Sequence, residues 1–213
     1  MTRSRENVKA TYDRLSGWYD LLTGPGEKKF RELGLRKLNV RAGERVLEIG
    51  FGTGQALLAL ALSVGRTGKV YGIDLSEGML NVARARVRKA GLASRIRLMR
   101  GDAAHLPFAA DSFDAVFMSF TLELFDTSEI PVVLQECRRV LRRSGRVGIT
   151  ALTRGEKPSL MTTLYEWAHR RFPTWIDCRP ICVQSILEDA GFQVLDVTRL
   201  SMWGLPVEVV LAR

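Results

Sequence analysis

The stretch richest in chemistry is Val46-Leu47-Glu48-Ile49-Gly50-Phe51-Gly52-Thr53-Gly54, an apolar run that breaks into three glycines two residues apart. Glycines at such a turn let the main chain approach a ligand closely. A dinucleotide-binding G-x-G-x-x-G would need a small residue at 55, where Gln55 stands, so the pyrophosphate fingerprint fails in register, and no phosphate-loop motif occurs elsewhere. Asp74 follows Gly50 by 24 residues, the placing of a carboxylate that accepts both hydroxyls of a ribose. Asp102, in Gly101-Asp102-Ala103, is a second acceptor, suited to an exocyclic amine such as that of adenine. Ribose and adenine without a pyrophosphate site imply a nucleoside-type cofactor.

These residues must be held by a sheet. From residue 45 onward, short β-branched runs alternate with stretches of helical period, the pattern of a parallel sheet with crossover helices. Strands are predicted at 45–50, 69–74, 96–102, 113–120 and 146–152. Helices are predicted at 55–64, 77–90 and 129–142, the last starting near Thr127 or Ser128 because Pro131 is tolerated in a first turn. Toward the C-terminus a helix is expected around 160–171, another around 183–190, and then extended segments at 192–200 and 207–212 joined through Trp203-Gly204-Leu205-Pro206. Before residue 45, two polar helical patterns, 5–22 and 26–38, flank Thr23-Gly24-Pro25-Gly26. A single domain is therefore expected over 1–213: an N-terminal helical cap (1–44), a cofactor-binding core (45–153), and acceptor-side helices with a terminal hairpin (154–213).

With E-x-G-x-G-x-G at Glu48–Gly54, V-Y-G-I-D-L-S at Val70–Ser76 and G-D-A-A-H-L-P-F…D-S-F-D at Gly101–Asp114, about half of the chain resembles the class I S-adenosylmethionine-dependent methyltransferases. The resemblance implies a doubly wound, Rossmann-like α/β fold, with a mostly parallel seven-stranded sheet, a C-terminal antiparallel hairpin strand and an N-terminal helical cap. It also implies S-adenosylmethionine as cofactor. Glu48 would orient the first loop and the methionine amine, and Gly50, Gly52 and Gly54 would pass beneath methionine and ribose. Asp74 would hold the ribose hydroxyls, Asp102 and the Ala103 backbone would read adenine, Leu75 or Met79 would flank its face, and Ser119–Thr121 would approach the methionine end.

Ser119-Phe120-Thr121-Leu122 lacks the N-P-P-Y type signature of many adenine- and glutamine-nitrogen methyltransferases, which counts against a nucleic-acid amine. Tyr12–Asp20 together with E-I-G-F-G-T-G most resembles the menaquinone and ubiquinone C-methyltransferases and the related bacterial phospholipid N-methyltransferases. The expected acceptor is accordingly a small molecule or lipid. A non-catalytic nucleoside-binding module and an RNA methyltransferase are the alternatives. Methyl transfer from a sulfonium is an in-line displacement that positioning can largely drive, but a hydroquinone carbon or a phenol also needs a base. The candidates are His169, Glu123, Tyr19, Tyr165 and His105. Trp167, Phe172, Trp175 and Trp203 are candidates for an apolar acceptor pocket.

The chain has 213 residues and a net charge of +9, front-loaded as +5 over residues 1–45 and zero over 151–213. That balance suits peripheral contact with an anionic membrane face. No apolar run is long enough to span a bilayer and the start lacks a signal-peptide pattern, so a cytoplasmic location is expected. Cys137, Cys178 and Cys182 form no CxxC and are expected to be buried free thiols, and with His169 they make no metal site. Two basic runs, Arg84/Arg86/Arg88/Lys89 and Arg138/Arg139/Arg142/Arg143, are expected to be solvated helix faces.

Overall fold

Strands that are apolar on both sides must lie between layers. In the computed structural model, which describes residues 24–153 and 180–213, the central ones of seven strands do so: β1 (Arg45–Ile49), β2 (Lys69–Asp74), β3 (Ile96–Arg100), β4 (Phe113–Ser119), β5 (Leu141–Leu152), β6 (Val194–Met202) and β7 (Leu205–Ala212). The seven form one sheet in the order β3-β2-β1-β4-β5-β7-β6, whose edge strands β3 and β6 are partly exposed. β3 through β5 are parallel, whereas β7 runs antiparallel to both β5 and β6. The fold is thus the doubly wound α/β sheet with a terminal antiparallel hairpin that the motifs imply. The strand order reverses between β1 and β4, and in open sheets of this kind a ligand lies outside the carboxyl ends of the strands at that reversal.

Helices α1 (Gly24–Leu38), α2 (Gln55–Ser63) and α3 (Glu77–Lys89) accompany the first half, and α4 (Ile130–Val140) and α5 (Val183–Asp189) the second. Leu38, Leu57, Leu60, Leu80 and Ala83 pack with Val46, Val70 and Phe117 of the sheet into one core. Val133, Leu134, Cys137 and Leu187 pack with Leu47, Ile49, Val116 and Ile149 into another. Ser76 caps α3 by accepting from the Met79 N–H at 3.1 Å, a bond whose loss typically costs about 1 kcal/mol.

Several boundaries differ from expectation, each for a local reason. α1 begins at Gly24, absorbing the Gly-Pro-Gly run expected as a linker, because a first-turn proline lacks only a donor that has no partner there. α4 starts at Ile130, with Glu129 as its cap, and stops at Val140. The chain then passes directly into β5, where Leu141 pairs with Phe113 ahead of a register shift, so the strand starts five residues before position 146. The terminal hairpin is tighter than expected, with Met202 paired to Leu205. Its turn consists only of Trp203 (φ 53°) and Gly204 (φ 84°), the two positive φ values of a type I′ turn.

All residues of the two basic runs but Arg86 are exposed, as expected, yet several make specific bonds, and Arg142 and Arg143 lie on β5 rather than on a helix. Arg86 Nη1 donates to Thr53 O at 2.8 Å and Thr53 Oγ1 at 2.9 Å, while Arg84, Arg88 and Lys89 are exposed. Arg138 donates to Ala190 O, Arg139 to Leu106 O and Phe108 O, and Arg142 pairs with Asp114. These arginines tie helix ends to loops through backbone carbonyls, which helical periodicity cannot reveal. Cys137 is buried as expected but Cys182 is exposed, because it precedes the first turn of α5. Cys178 lies outside the described residues.

Candidate active site

The glycine turn between β1 and α2 lies at the reversal of strand order, and each of its glycines is needed for a different reason. Gly50 has φ +69°, and a Cβ there would fall 2.2 Å from Thr121 Cγ2. Thr121 sits just past the tip of β4, where its Oγ1 donates to Ser119 O at 3.1 Å and Gly50 O at 3.3 Å. The chain reaches that position through Phe120, a non-glycine residue at φ +52°. Its N–H donates to Thr150 O at 2.7 Å and its ring meets Phe30 edge-on, contacts that hold an otherwise unfavourable backbone. Gly54 caps α2 at φ +84°, and a Cβ there would lie 3.0 Å from Ala83 Cβ of α3. Gly52, at φ +51°, differs from both, because its Cβ would meet nothing within 4 Å.

Asp74, the last residue of β2, braces this turn. Its Oδ2 accepts from the Gly52 N–H at 2.8 Å and its Oδ1 from the Ser76 N–H at 2.9 Å. One carboxylate thereby fixes the glycine turn relative to the start of α3. Leu75 beside it is half-buried, whereas Met79 is 1% exposed and presents almost no surface to a ligand. Asp102 Oδ1 accepts from the Ala104 N–H at 2.9 Å, and this Asx turn shapes the loop after β3. Ala103 is buried, and His105 is exposed with Nδ1 3.7 Å from Asp102 Oδ2.

Two buried carboxyls face this region. Glu48 of β1 is 3% exposed and its Oε2 has no hydrogen-bond partner. Burial holds its pKa well above the usual carboxylate value; Arg31 on α1 opposes that shift and Asp74 adds to it. Glu123, on the short 3-10 turn Leu122–Leu124 after β4, is 1% exposed. Its Oε1 accepts from the Leu152 N–H at 3.1 Å, while Oε2 is unpartnered. Burial pushes it up to about 8, against lowering by the Glu123 and Leu152 N–H groups and with a further small raise from Glu27. His169, Tyr19 and Tyr165, with Trp167, Phe172 and Trp175, lie outside the described residues. Trp203 is 69% exposed at the hairpin turn. Among the described residues no cluster of histidine, cysteine, aspartate and glutamate could hold a metal, and no helix is long and apolar enough to cross a membrane.

A family model described as a methyltransferase domain matches residues 46–145, the span that carries Glu48, the glycine turn, Asp74 and Asp102. A demethylmenaquinone methyltransferase of Lactobacillus johnsonii is 38% identical over 152 residues, covering 71% of this chain and 60% of that relative. A solved structure of an S-adenosylmethionine-dependent methyltransferase from Aquifex aeolicus is 29% identical, with a TM-score of 0.65 over 85% of this chain and 88% of that one. The chain belongs to the class I S-adenosylmethionine-dependent methyltransferases. It spans about 60% of the length of the curated relative it matches. The cyclase SpnF, 23% identical with a TM-score of 0.70 over 87% of this chain and 80% of its own, shares the fold alone, and a fold does not fix a reaction.

Two side chains that shape this class I methyltransferase site belong to none of its motifs. Arg86 holds the Thr53 carbonyl inside the glycine turn. Arg31 Nη2 donates to Gln55 Oε1 at 2.7 Å, joining α1 to the residue that disrupts the dinucleotide fingerprint. The signal for both is helical phase: Met79, Ala83 and Arg86 recur at four and three, as do Glu27, Phe30, Arg31 and Gly34, so each arginine rides on an inward stripe.

Asp74→Ala removes two charge-assisted bonds, each typically worth about 1.5–3 kcal/mol and less here because the side chain is partly solvated. Expected are a melting temperature several degrees lower and a loss of affinity for S-adenosylhomocysteine of about 100-fold or more. Asp74→Asn, with one acceptor left, falls between. Thermal melts and calorimetry read both, and an unchanged melt would show that the brace is dispensable.

Proposed function

We propose that this protein transfers a methyl group from S-adenosylmethionine to a ring carbon of an isoprenoid hydroquinone. The observation that carries the cofactor half is the open space at Gly52, flanked by the Asp74 brace and by the unpartnered Oε2 of Glu48. A carboxylate offers about four lone-pair sites, so Asp74 can accept ribose hydroxyls while holding the turn. Asp102 and the Ala103 backbone take the adenine edge with Leu75 against its face, Gly50 and Gly54 shape the floor, and Ser119 and Thr121 border the methionine end. The name and identity of the matched relative support the acceptor half.

When bound, the cofactor supplies a methyl group on a sulfonium. That methyl group would pass to the acceptor's ring carbon, leaving a neutral thioether, and the hydroquinone would give up a proton to a residue of this chain. Glu123 is the described group suited to take it: burial places its pKa at about 8, its Oε2 is unengaged, and it follows directly on the tip of β4. The lipid acceptor would be met at the inner membrane face, toward which the basic N-terminal segment is drawn.

The test is incubation with S-adenosylmethionine and vesicles of anionic phospholipid containing reduced demethylmenaquinone, with products read by mass spectrometry. One added methyl on the quinone is the expected result. Methylation of the phospholipid headgroup instead would move the acceptor to a lipid amine. Binding of S-adenosylhomocysteine with no product from either would favour a non-catalytic nucleoside-binding role.

A further inference from the structure

The β6–β7 hairpin outruns the sheet on the side that carries the glycine turn. Leu152, the last residue of β5, pairs with Val207 of β7, and the hairpin continues from there to its turn at Trp203 and Gly204. Trp203 therefore stands beyond the carboxyl end of β5 by roughly 13 Å, at about 3.3 Å per residue. The residues flanking the turn hold it in place. Met202 packs with Phe30 of α1, with Phe120 past the tip of β4 and with Leu152, and Leu205 packs against the same cluster.

One exposed apolar side chain needs no explanation by itself, but this one is held out at a cost. A type I′ turn favours Asn, Asp or Gly at its first place, and a bulky side chain at φ +53° is an outlier. Such strain persists where the surroundings fix it, and it gathers at functional positions. Here α1 supplies the support: a Cβ on Gly26 would fall 2.4 Å from Trp203 Cη2 and 2.6 Å from Cζ2, so glycine is what lets the indole rest on the first turn of the helix. The ring is exposed and braced at once. Beside it, Ser201 and Gly204 are exposed, as are Lys28 and Lys29 just along α1 from Gly26.

We propose that Trp203 is the anchor that seats this protein on an anionic lipid bilayer, with Lys28 and Lys29 among the headgroups and the edge of the sheet that carries the glycine turn facing the membrane. The inference rests on the reading above for a lipid acceptor, and adds to it the residue that docks and the side of the molecule that meets the bilayer. A lipid surface fits better than a protein partner. The other large apolar side chains exposed among the described residues are Leu62 on α2, Val132 on α4 and Leu195 on β6, so no apolar patch surrounds Trp203 from which to build a protein interface, which needs roughly 800 Å² per partner. A bilayer interface accepts a single indole, with its apolar body among the upper acyl carbons and its N–H at the headgroups. The lysines and the net charge of +9 supply the attraction to anionic lipid.

The test uses the full chain and vesicles that hold neither quinone nor S-adenosylmethionine, so failure to dock and failure to transfer a methyl group are seen separately. In flotation with vesicles of phosphatidylcholine and phosphatidylglycerol the unmodified protein should bind. Trp203→Asn should bind about 10-fold more weakly, the scale for withdrawing one large apolar side chain from apolar surroundings. Because Asn-Gly is a favoured type I′ pair, the melting temperature of that variant should hold or rise, and a fall of several degrees would make the indole a wedge against α1 and overturn the proposal. Lys28→Gln combined with Lys29→Gln should cost about 10-fold on the anionic vesicles and little on phosphatidylcholine alone. With all of the protein bound, brominated phosphatidylglycerol should quench a share of the tryptophan emission that is missing in Trp203→Phe. The proposal is overturned if the unmodified protein stays off anionic vesicles, if Trp203→Asn floats as well as its parent, or if Trp203→Phe is quenched to the same extent. It is also overturned if light scattering shows a dimer that Trp203→Asn abolishes, since the turn would then be a contact between copies.

Discussion

Gly50→Ala is expected to unfold the glycine turn, whereas Gly52→Ala is expected to leave the fold standing and close the site. At Gly50 the new methyl would lie 2.2 Å from Thr121 Cγ2 and 2.5 Å from its Oγ1. Thr121 cannot swing away without giving up its bonds to Gly50 O and Ser119 O, and it is buried. Overpacking of this kind costs about 1–3 kcal/mol, and an L-residue at φ +69° adds about 1–2 kcal/mol. The melting temperature should fall on the order of 10 °C, with cofactor binding lost alongside. At Gly52 the backbone penalty is similar but nothing lies within 4 Å of the added carbon, so the melt should drop only a few degrees. The methyl would then stand in the space assigned to the cofactor, and affinity for S-adenosylhomocysteine should fall about 100-fold or more. Melts and calorimetry on the two variants separate the roles. If both variants lost stability equally and Gly52→Ala still bound the ligand at full affinity, the open space at Gly52 would not be the cofactor's.

What was legible in the sequence divides along physical lines. Period-two and period-3.6 apolar patterns report burial, so β1, β2, α2 and α3 are predicted within a residue or so of their observed bounds. Glycines spaced two apart after an apolar strand report a turn, and Asp74 and Asp102 stand at the ends of β2 and just past β3 as the spacing requires. What pattern cannot report is a partner distant in the chain. Thr121 reaches Gly50 across 71 positions, Arg31 reaches Gln55 across 24 and Arg86 reaches Thr53 across 33, and none of these side chains looks unusual in its own window. The helix-to-strand junction at Val140–Leu141 was hidden for a related reason. The residues after it read as polar helix, and pairing of Leu141 with Phe113 overrides that local preference. Glu208 is a last example: a lone acid in an apolar strand, its Oε2 accepts from the Val183 N–H and its Oε1 from Arg199. It thereby anchors the start of α5, a role visible only in three dimensions.

Glu123→Gln should make the protein more stable and the reaction slower. In the folded chain burial lifts the Glu123 carboxyl from 4.5 to about 8. Below about pH 4.5 the group is protonated in both folded and unfolded chains and contributes no pH dependence. Between there and about pH 8 the unfolded chain releases the proton while the folded chain keeps it, so the folded state binds more protons and stability falls as pH rises. Each pH unit within that interval costs about 1.4 kcal/mol, and the whole interval amounts to several kcal/mol. Glutamine keeps an oxygen to accept the Leu152 N–H and has no charge to bury, so its melting temperature should stay nearly level across this interval. By pH 8 it should lie at least about 5 °C above the parent's. The same change removes the group proposed to take the acceptor's proton, a role typically worth about 10²–10⁴ in rate. In the parent, kcat should climb toward a plateau near pH 8 as the carboxylate forms, and in Glu123→Gln that climb should vanish with most of the rate. Higher stability combined with undiminished, still pH-dependent turnover would make Glu123 only a buried strut beneath the tip of β5, and the proton would have to leave by another group. A buried acid retained at a cost in stability is the signature of a position kept for chemistry rather than for folding, and these paired measurements read both effects in a single side chain.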